Sequence, residues 1–279
     1  MRPRDHYQRT GNSQTHVNFE PGDFVYSGVV RRVARVENAK LWTEWNYASQ
    51  SVLLTDEQDQ RNGSTALMCI SVRYHAGIYF GFLEPFVPKK KIWTELTLSR
   101  DGKEFERLHE TVVDAGADDA WDAKQAWASS DWLDVGDEWW IYYWASNREP
   151  NTPIRGGRTS IGLAKIRKEG FLSMHAPEAG GMVVTKIVTW PGGDLVVNCD
   201  VPQGEMRVRV SDQRRDGVAG FDFKDCVPFT GDSVAHKVNW QGHALEELKG
   251  QNIRLEFYFE KAADLYSFKS TGGASADQR

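Results

Sequence analysis

The chain has 279 residues, with 34 Lys and Arg against 39 Asp and Glu, a net charge of −5, and 40% hydrophobic residues. That balance is globular and long enough for one large domain or two ordinary ones; it excludes a disordered polyelectrolyte and an electrostatic grip on phosphate backbones, so no nucleic-acid partner is expected. No apolar run reaches the roughly 20 residues of a membrane helix, so no membrane partner is expected either. The opening Met1-Arg2-Pro3-Arg4 leads into no apolar signal segment, which leaves cytoplasmic as the default expectation.

Aromatic residues are abundant, with 11 Trp, 9 Tyr and 13 Phe. Such residues favour strands, and exposed rings favour flat ligands such as sugar faces. Cys69, Cys199 and Cys226 have neither zinc spacing nor the density of a disulfide scaffold. They are expected as buried thiols, and a Cys199–Cys226 bridge depends on a separation that the sequence does not set. The seven His are scattered without metal-ligand spacing, so no metal or other cofactor is expected, and His75, His109 and His175 are expected at the surface or hydrogen-bonded.

In chain order, residues 1–22 read as a polar arm. Phe24–Val36 and Lys40–Trp45 read as two antiparallel strands. Asp56–Gly63 is a charged loop. Ala66–Tyr74 and Ile78–Phe86 form a hairpin around His75-Ala76-Gly77, Ile92–Ser99 alternates, and Phe105–Leu108 follows the Asp101-Gly102 turn as an edge strand. Together these make a four-stranded antiparallel unit. The run Lys89-Lys90-Lys91 is a solvated turn.

The cycle repeats after the acidic loop Asp114–Asp122. Trp127–Val135, the continuous apolar run Trp139–Trp144, Thr159–Ile166 and an outer strand Phe171–Met174 make a second unit, with Trp139, Trp140 and Trp144 read as core because an all-apolar run suits a strand covered on both faces. The last third changes texture. Short strands at Met182–Trp190, Asp194–Val201, Glu205–Ser211, Val234–Trp240 and Asn252–Glu260 are separated by turn residues, and His243–Leu248 is a single helical turn. Met206, Val208 and Val210 oppose Arg207 and Arg209, as Ile253, Leu255, Phe257 and Phe259 oppose their charged neighbours. The fold class is therefore all-β: partial propeller-type blades over 23–177, about half a propeller, then a β-sandwich over 178–269 and a disordered tail at 270–279.

Several segments resemble a known family: Leu98-Ser99-Arg100-Asp101-Gly102, Ile161-Gly162-Leu163-Ala164, Arg167–Ser173, Thr185-Lys186, Asn198, Gly231-Asp232-Ser233, Val238-Asn239-Trp240 and Leu265-Tyr266-Ser267-Phe268. In that order the chain, from about Val29 to Phe268, is similar to the C-terminal half of glycoside-hydrolase-family-32-like proteins, five-bladed β-propellers with a C-terminal β-sandwich. The resemblance implies a glycoside-hydrolase-like protein acting on an oligosaccharide or glycoside, with carboxylates on inner strands. It also implies that the N-terminal blades have no counterpart here. The expected partners are thus a carbohydrate ligand and either a second copy of the chain or a separate N-terminal propeller subunit. The alternative is a non-catalytic carbohydrate-binding or scaffolding relative.

Glycoside hydrolysis needs one protonated and one ionised carboxyl, about 5 Å apart for retention or about 6.5–9.5 Å for inversion. Asp56, Glu57 and Asp59 precede one inner strand, and Asp118, Asp119 and Asp122 precede the next. Asp122 is favoured as the acid because Trp121 beside it can exclude water. Glu84, inside the apolar strand Tyr79–Phe86, must be paired or functional. The catalytic candidates are therefore Asp122, Glu84 and Asp56. For the substrate, Trp121 and Trp127 offer stacking faces, while Arg73, Tyr74, Asp59 and Arg158 offer polar contacts, Arg73 being equally suited to pairing with a carboxylate. Asp101 is read as a turn residue.

Overall fold

The computed structural model describes residues 31–36, 38, 40, 42, 50–150 and 157–273. The arm 1–22 lies outside them, as does most of the strand expected at Lys40–Trp45. Among the described residues the chain is all-β apart from one short helix and one 3-10 turn. It divides into two units, one gathering the residues up to Leu133 with Trp140–Lys165, the other Asp134–Trp139 with Ile166–Ser275.

The first unit opens with β1 (Val33–Arg35) paired to β2 (Gln50–Leu53), so the partner of β1 lies further along than the sequence suggested. The charged segment after it is α1 (Glu57–Asn62), not a loop. Asp56 caps it by accepting from the amides of Gln58 and Asp59, Asp59 returns a bond to the Asp56 amide, and Gly63 ends it with φ of 82°. This reciprocal cap is what converts a run of charges into a turn and a half of helix.

The four-stranded unit is present as expected: β3 (Ala66–His75), β4 (Ile78–Val87), β6 (Thr94–Ser99) and β7 (Glu106–Val113) pair antiparallel in that order. Ala76 and Gly77 both have positive φ, which gives a two-residue hairpin turn the twist that flanking strands require. The short β5 (Lys91–Ile92) extends the pairing of β4 and meets β8 (Gln125–Ala128) through a parallel bridge at Ile92 and Gln125. Beyond it lie β10 (Glu138–Ser146) and β11 (Thr159–Arg167), with β9 (Leu133–Val135) on β10, completing a nine-stranded sheet.

Strand β10 is not covered on both faces. Trp139 and Ile141 are buried, whereas Tyr142 and Trp144 are 42% and 39% exposed, so only Trp139 of the three tryptophans is fully core. The period-two alternation of a strand was hidden in the sequence because aromatic residues occupy both faces. The outer strand expected at Phe171–Met174 is also displaced: β12 (Met174–Ala176) pairs with the last strand of the second unit.

The second unit is built on β15 (Leu195–Ser211), one continuous strand where two were expected. Its first half lies between β16 (Phe229–Lys237) and β18 (Ala263–Ser270), and its second half pairs with β17 (Asn252–Phe259). The bend falls at Gly204, with φ of 70° and a register shift between Val201 and Met206. A strand that changes partners at a bend makes a corner between two layers of a sandwich. The strand read as Met182–Trp190 is broken into β13 (Gly181–Val184) and β14 (Val188–Thr189), because Thr185 offers its hydroxyl to the Leu255 amide in place of a backbone carbonyl. Ser270 ends β18, and Thr271 exchanges hydrogen bonds with Asp194.

The inward residues of this unit are the expected ones: Met206, Val208, Val210, Ile253, Leu255, Phe257 and Phe259 share one core with Leu195, Val197 and Trp240. The outward face is less uniform than expected. Glu256 is fully buried there, held by Ser211 at 2.6 Å and Arg209 at 2.7 Å. Cys199 and Cys226 are separate buried thiols, while Cys69 is exposed rather than buried. Leu255→Ala should lower stability by about 2–5 kcal/mol, since the residue is wholly enclosed and the cavity cannot collapse. Urea titration of the two proteins checks this; an unchanged midpoint would contradict the central placement of β17.

Candidate functional site

Alternation along β4 sends Phe80, Phe82, Glu84 and Phe86 to one face. Phe80 and Phe82 pack on Trp132, and Phe86 packs with Ala66, Ile92, Met68 and Trp127. Glu84 thus sits in an aromatic wall, only 1% exposed. Opposite it β3 is bulged: between the pairs Leu67–Pro85 and Ile70–Leu83, two residues, Met68 and Cys69, face the single Glu84. The hairpin register that pairs Ile70 with Leu83 brings Cys69 next to the carboxyl, where Sγ donates to Oε2 at 3.0 Å. Burial pushes the Glu84 carboxyl up to about 8, opposed by the hydrogen bonds from the Cys69 thiol and from its own backbone amide. A carboxyl that keeps its proton at neutral pH is able to donate it.

Asp56 and Asp59 are brought together elsewhere, around Arg107 of β7. The Arg107 side chain is 6% exposed and pairs with Asp59, fully buried, and with Glu95 at 2.8 Å. It also reaches Asp56 at 3.3 Å. Burial alone would weaken the guanidinium charge, but hydrogen bonds and attraction from Asp59 and Glu95 outweigh it. His109 stands at 2.8 Å from Asp56 and 3.6 Å from Glu95, on a residue with φ of 56°. Burial would raise the Asp56 carboxyl, yet the Asp59 amide, Arg107 and His109 together hold it below its ordinary value. This arrangement compensates charge: the centre of the group is filled by Arg107, and among the described residues no set of three His, Cys, Asp or Glu is disposed to hold a metal ion.

Asp122 and Trp121 meet through Tyr143. The tyrosine hydroxyl donates to Asp122 at 3.0 Å, and its ring stacks on Trp121 at 6.0 Å between centroids. Trp127 meets Trp144 edge-on at 6.4 Å. Arg73 is paired with Asp131, donates to the Trp132 carbonyl at 2.6 Å, and lies over the Trp132 ring at 4.1 Å. Tyr74 is exposed against Tyr79. Arg158 is engaged through its backbone, donating to Asn147 and accepting from Ser146. Asp101 closes its turn by accepting from the amides of Lys103 and Glu104, as its place before glycine implied.

Four residues of the segments that carry the family resemblance converge in the second unit. Arg167 donates to Asn198 at 2.6 Å, pairs with Asp232 and lies over Tyr266, and Asn198 in turn donates to the Lys168 carbonyl. Together these contacts link Arg167 to β15, β16 and β18. Sequence reasoning missed Arg107, Glu95 and Cys69 as partners. Arg107 and Glu95 show no signal, since each is one charge in an alternating strand. Cys69 could have been found by asking which neighbour answers Glu84 across the hairpin.

Arg107→Met should destabilise the protein by about 3–5 kcal/mol, because it leaves Asp59 and Glu95 buried without a counter-charge. Adding Asp59→Asn should recover part of that loss, measured by urea titration; no recovery would mean the loss comes from packing. A second prediction follows from Glu84. Between pH 4.5 and about 8 the folded chain keeps a proton that the unfolded chain releases. Stability should therefore fall as pH rises through that window, by up to about 1.4 kcal/mol per unit. Glu84→Gln removes this contribution, so its stability relative to the parent should grow with pH; parallel melting profiles would exclude the shift.

No family model matches the chain, and no curated protein matches it. Among solved structures the chain is similar to an exo-β-1,3-galactanase from Phanerochaete chrysosporium, determined with galactose, at 12% identity and a TM-score of 0.24. The similarity covers 72% of this chain and 56% of that one, so the chain spans little more than half the length of this distant glycoside hydrolase neighbour.

Proposed function

We propose that the chain is a glycoside-hydrolase-like protein acting on an oligosaccharide or glycoside, completed by a second chain, with Glu84 as the proton donor. The observation that carries this reading is a carboxyl only 1% exposed on the face of β4 that it shares with Phe82 and Phe86, where burial raises its pKa. Cleaving a glycosidic bond requires such an acid to protonate the leaving oxygen. Trp127 of the same unit supplies an aromatic ring, a contact suited to a sugar face, whereas Arg73 is paired with Asp131. Asp122, favoured as the acid from its place beside Trp121, accepts from the Tyr143 hydroxyl and is the candidate second carboxyl in this reading.

The need for a second chain rests on the strand count and on what remains open. Among the described residues, one four-stranded unit and the group β8, β9, β10 and β11 fall short of the five blades that the resemblance implies, and Tyr142, Trp144, Ile161 and Leu163 leave apolar surface uncovered. Exposed apolar faces favour association.

One observation favours the binding-only alternative. Asp56, Asp59 and Glu95 are all committed to Arg107, which removes three carboxylates from catalysis. A glycan panel assayed with the purified chain separates the two. Turnover that falls about 10²–10⁴-fold in Glu84→Gln supports catalysis by this acid, and turnover untouched by that substitution removes Glu84 from the mechanism. Calorimetric binding of a glycan without turnover, in a chain that light scattering finds monomeric, favours the alternative.

A further inference from the structure

We propose that Lys90, Lys91 and Lys124 form a subsite of the first unit that takes an anionic sugar unit, a ring bearing a carboxylate or a sulfate ester. The anion follows from the charges; that a sugar carries it rests on the carbohydrate reading above.

The three lysines line one open cavity of about 560 Å³, within the size range of small-molecule sites. Two of them are placed by register. Ile92 of β5 pairs in parallel with Gln125 of β8, and the Ile92 amide donates to the Lys124 carbonyl at 2.9 Å. Lys91 and Lys124, one residue earlier in each segment, therefore stand side by side, where like charges repel. Lys90 joins them from the turn after β4, which closes as its amide donates to the Val87 carbonyl at 3.1 Å.

The counter-charges leave room for a ligand. Lys91 reaches Asp114 at 3.1 Å and Lys124 reaches Asp118 at 3.1 Å, while Lys90 has no carboxylate partner among the described residues. The Asp118 side chain is 98% exposed, so its ion pair is a solvated one that contributes little and that an incoming anion can displace. Asp122 stands behind the wall, where a Cβ on Gly116 would collide with its carboxyl, and is engaged by Tyr143. Val87, Ala115, Ala117 and Ala123 add an apolar wall, against which the C–H face of a sugar ring fits once its anionic group lies among the lysines. The loop that carries this wall is closed by its own hydrogen bonds, from the Gly116 amide to the Asp122 carbonyl at 3.1 Å and from the Ala120 amide to the Ala117 carbonyl at 2.9 Å. An ammonium is a point charge without the fork of a guanidinium, so the site selects for charge and does not separate carboxylate from sulfate. A polyphosphate backbone needs a basic track longer than one cavity, and the chain as a whole is acidic, at −5.

Calorimetric titration of the full chain tests this with trigalacturonate, its neutral methyl ester, a sulfated galactotriose and unsulfated galactotriose. The anionic sugars should bind, and neither neutral counterpart should saturate the chain at the same concentrations. Binding of one acid alone supports the site and identifies which anionic group it takes. Lys90→Gln combined with Lys124→Gln should weaken that binding about tenfold, the worth of one hydrogen bond between charged groups. Should the double variant fail to fold, Lys90→Gln alone, which breaks no ion pair, should still weaken it.

Failure of both acids to bind, equal binding of an acid and its neutral counterpart, or an affinity untouched by the lysine substitutions would overturn the proposal. A chain that binds or cleaves only neutral glycans overturns it as well, and leaves the carbohydrate reading in place. A chain that binds inorganic sulfate but no sugar, neutral or acidic, overturns both together.

Discussion

A guanidinium taken out of water has to be met by carboxylates, and in the first unit Arg107 imposes that condition on everything around it. Its two terminal nitrogens reach Asp59 on α1, Glu95 on β6 and Asp56 at the helix cap. Satisfying them requires α1 to lie over β6 and β7, and the cap of α1 to be formed. Asp56 meets both demands at once: one oxygen accepts the helix amides and the other faces Arg107 and His109. The charges that look like a solvated loop in sequence are therefore the means by which a buried cation is tolerated.

The hairpin unit was legible because its signals are local. Alternation, the Ala76-Gly77 turn and the Asp101-Gly102 turn each act within a few residues, and β3, β4, β6 and β7 occur where those signals placed them. Long-range choices were not legible. Nothing near Val33 says that its partner is Leu53, and nothing near Met174 says that it pairs with Leu265. The aromatic run of β10 misled for a different reason: composition reports apolarity, whereas coverage depends on which neighbours arrive.

For the candidate site, residue type identified the buried Glu84, and its partner Cys69 follows only once the register of the hairpin is known. Likewise Asp122 was singled out for the tryptophan beside it, while the group that engages it, the Tyr143 hydroxyl, comes from β10. Chemistry of single residues can be read from a sequence; which of them share a proton or a charge is a property of register.

The long β15 has a consequence for how the protein is made. All three of its hydrogen-bonding neighbours, β16, β17 and β18, lie downstream of it. As the chain leaves the ribosome from its N-terminus, the hairpin of β3 and β4 can close as soon as both strands emerge. The second unit must wait, with β12 unpaired until Leu265 appears and the first half of β15 exposed on one edge until β18 arrives. Topologies dominated by such distant pairings fold slowly and present strand edges meanwhile. Shortening the message by the final strand would therefore leave β12 without its pairing strand and the first half of β15 without its neighbour on one side.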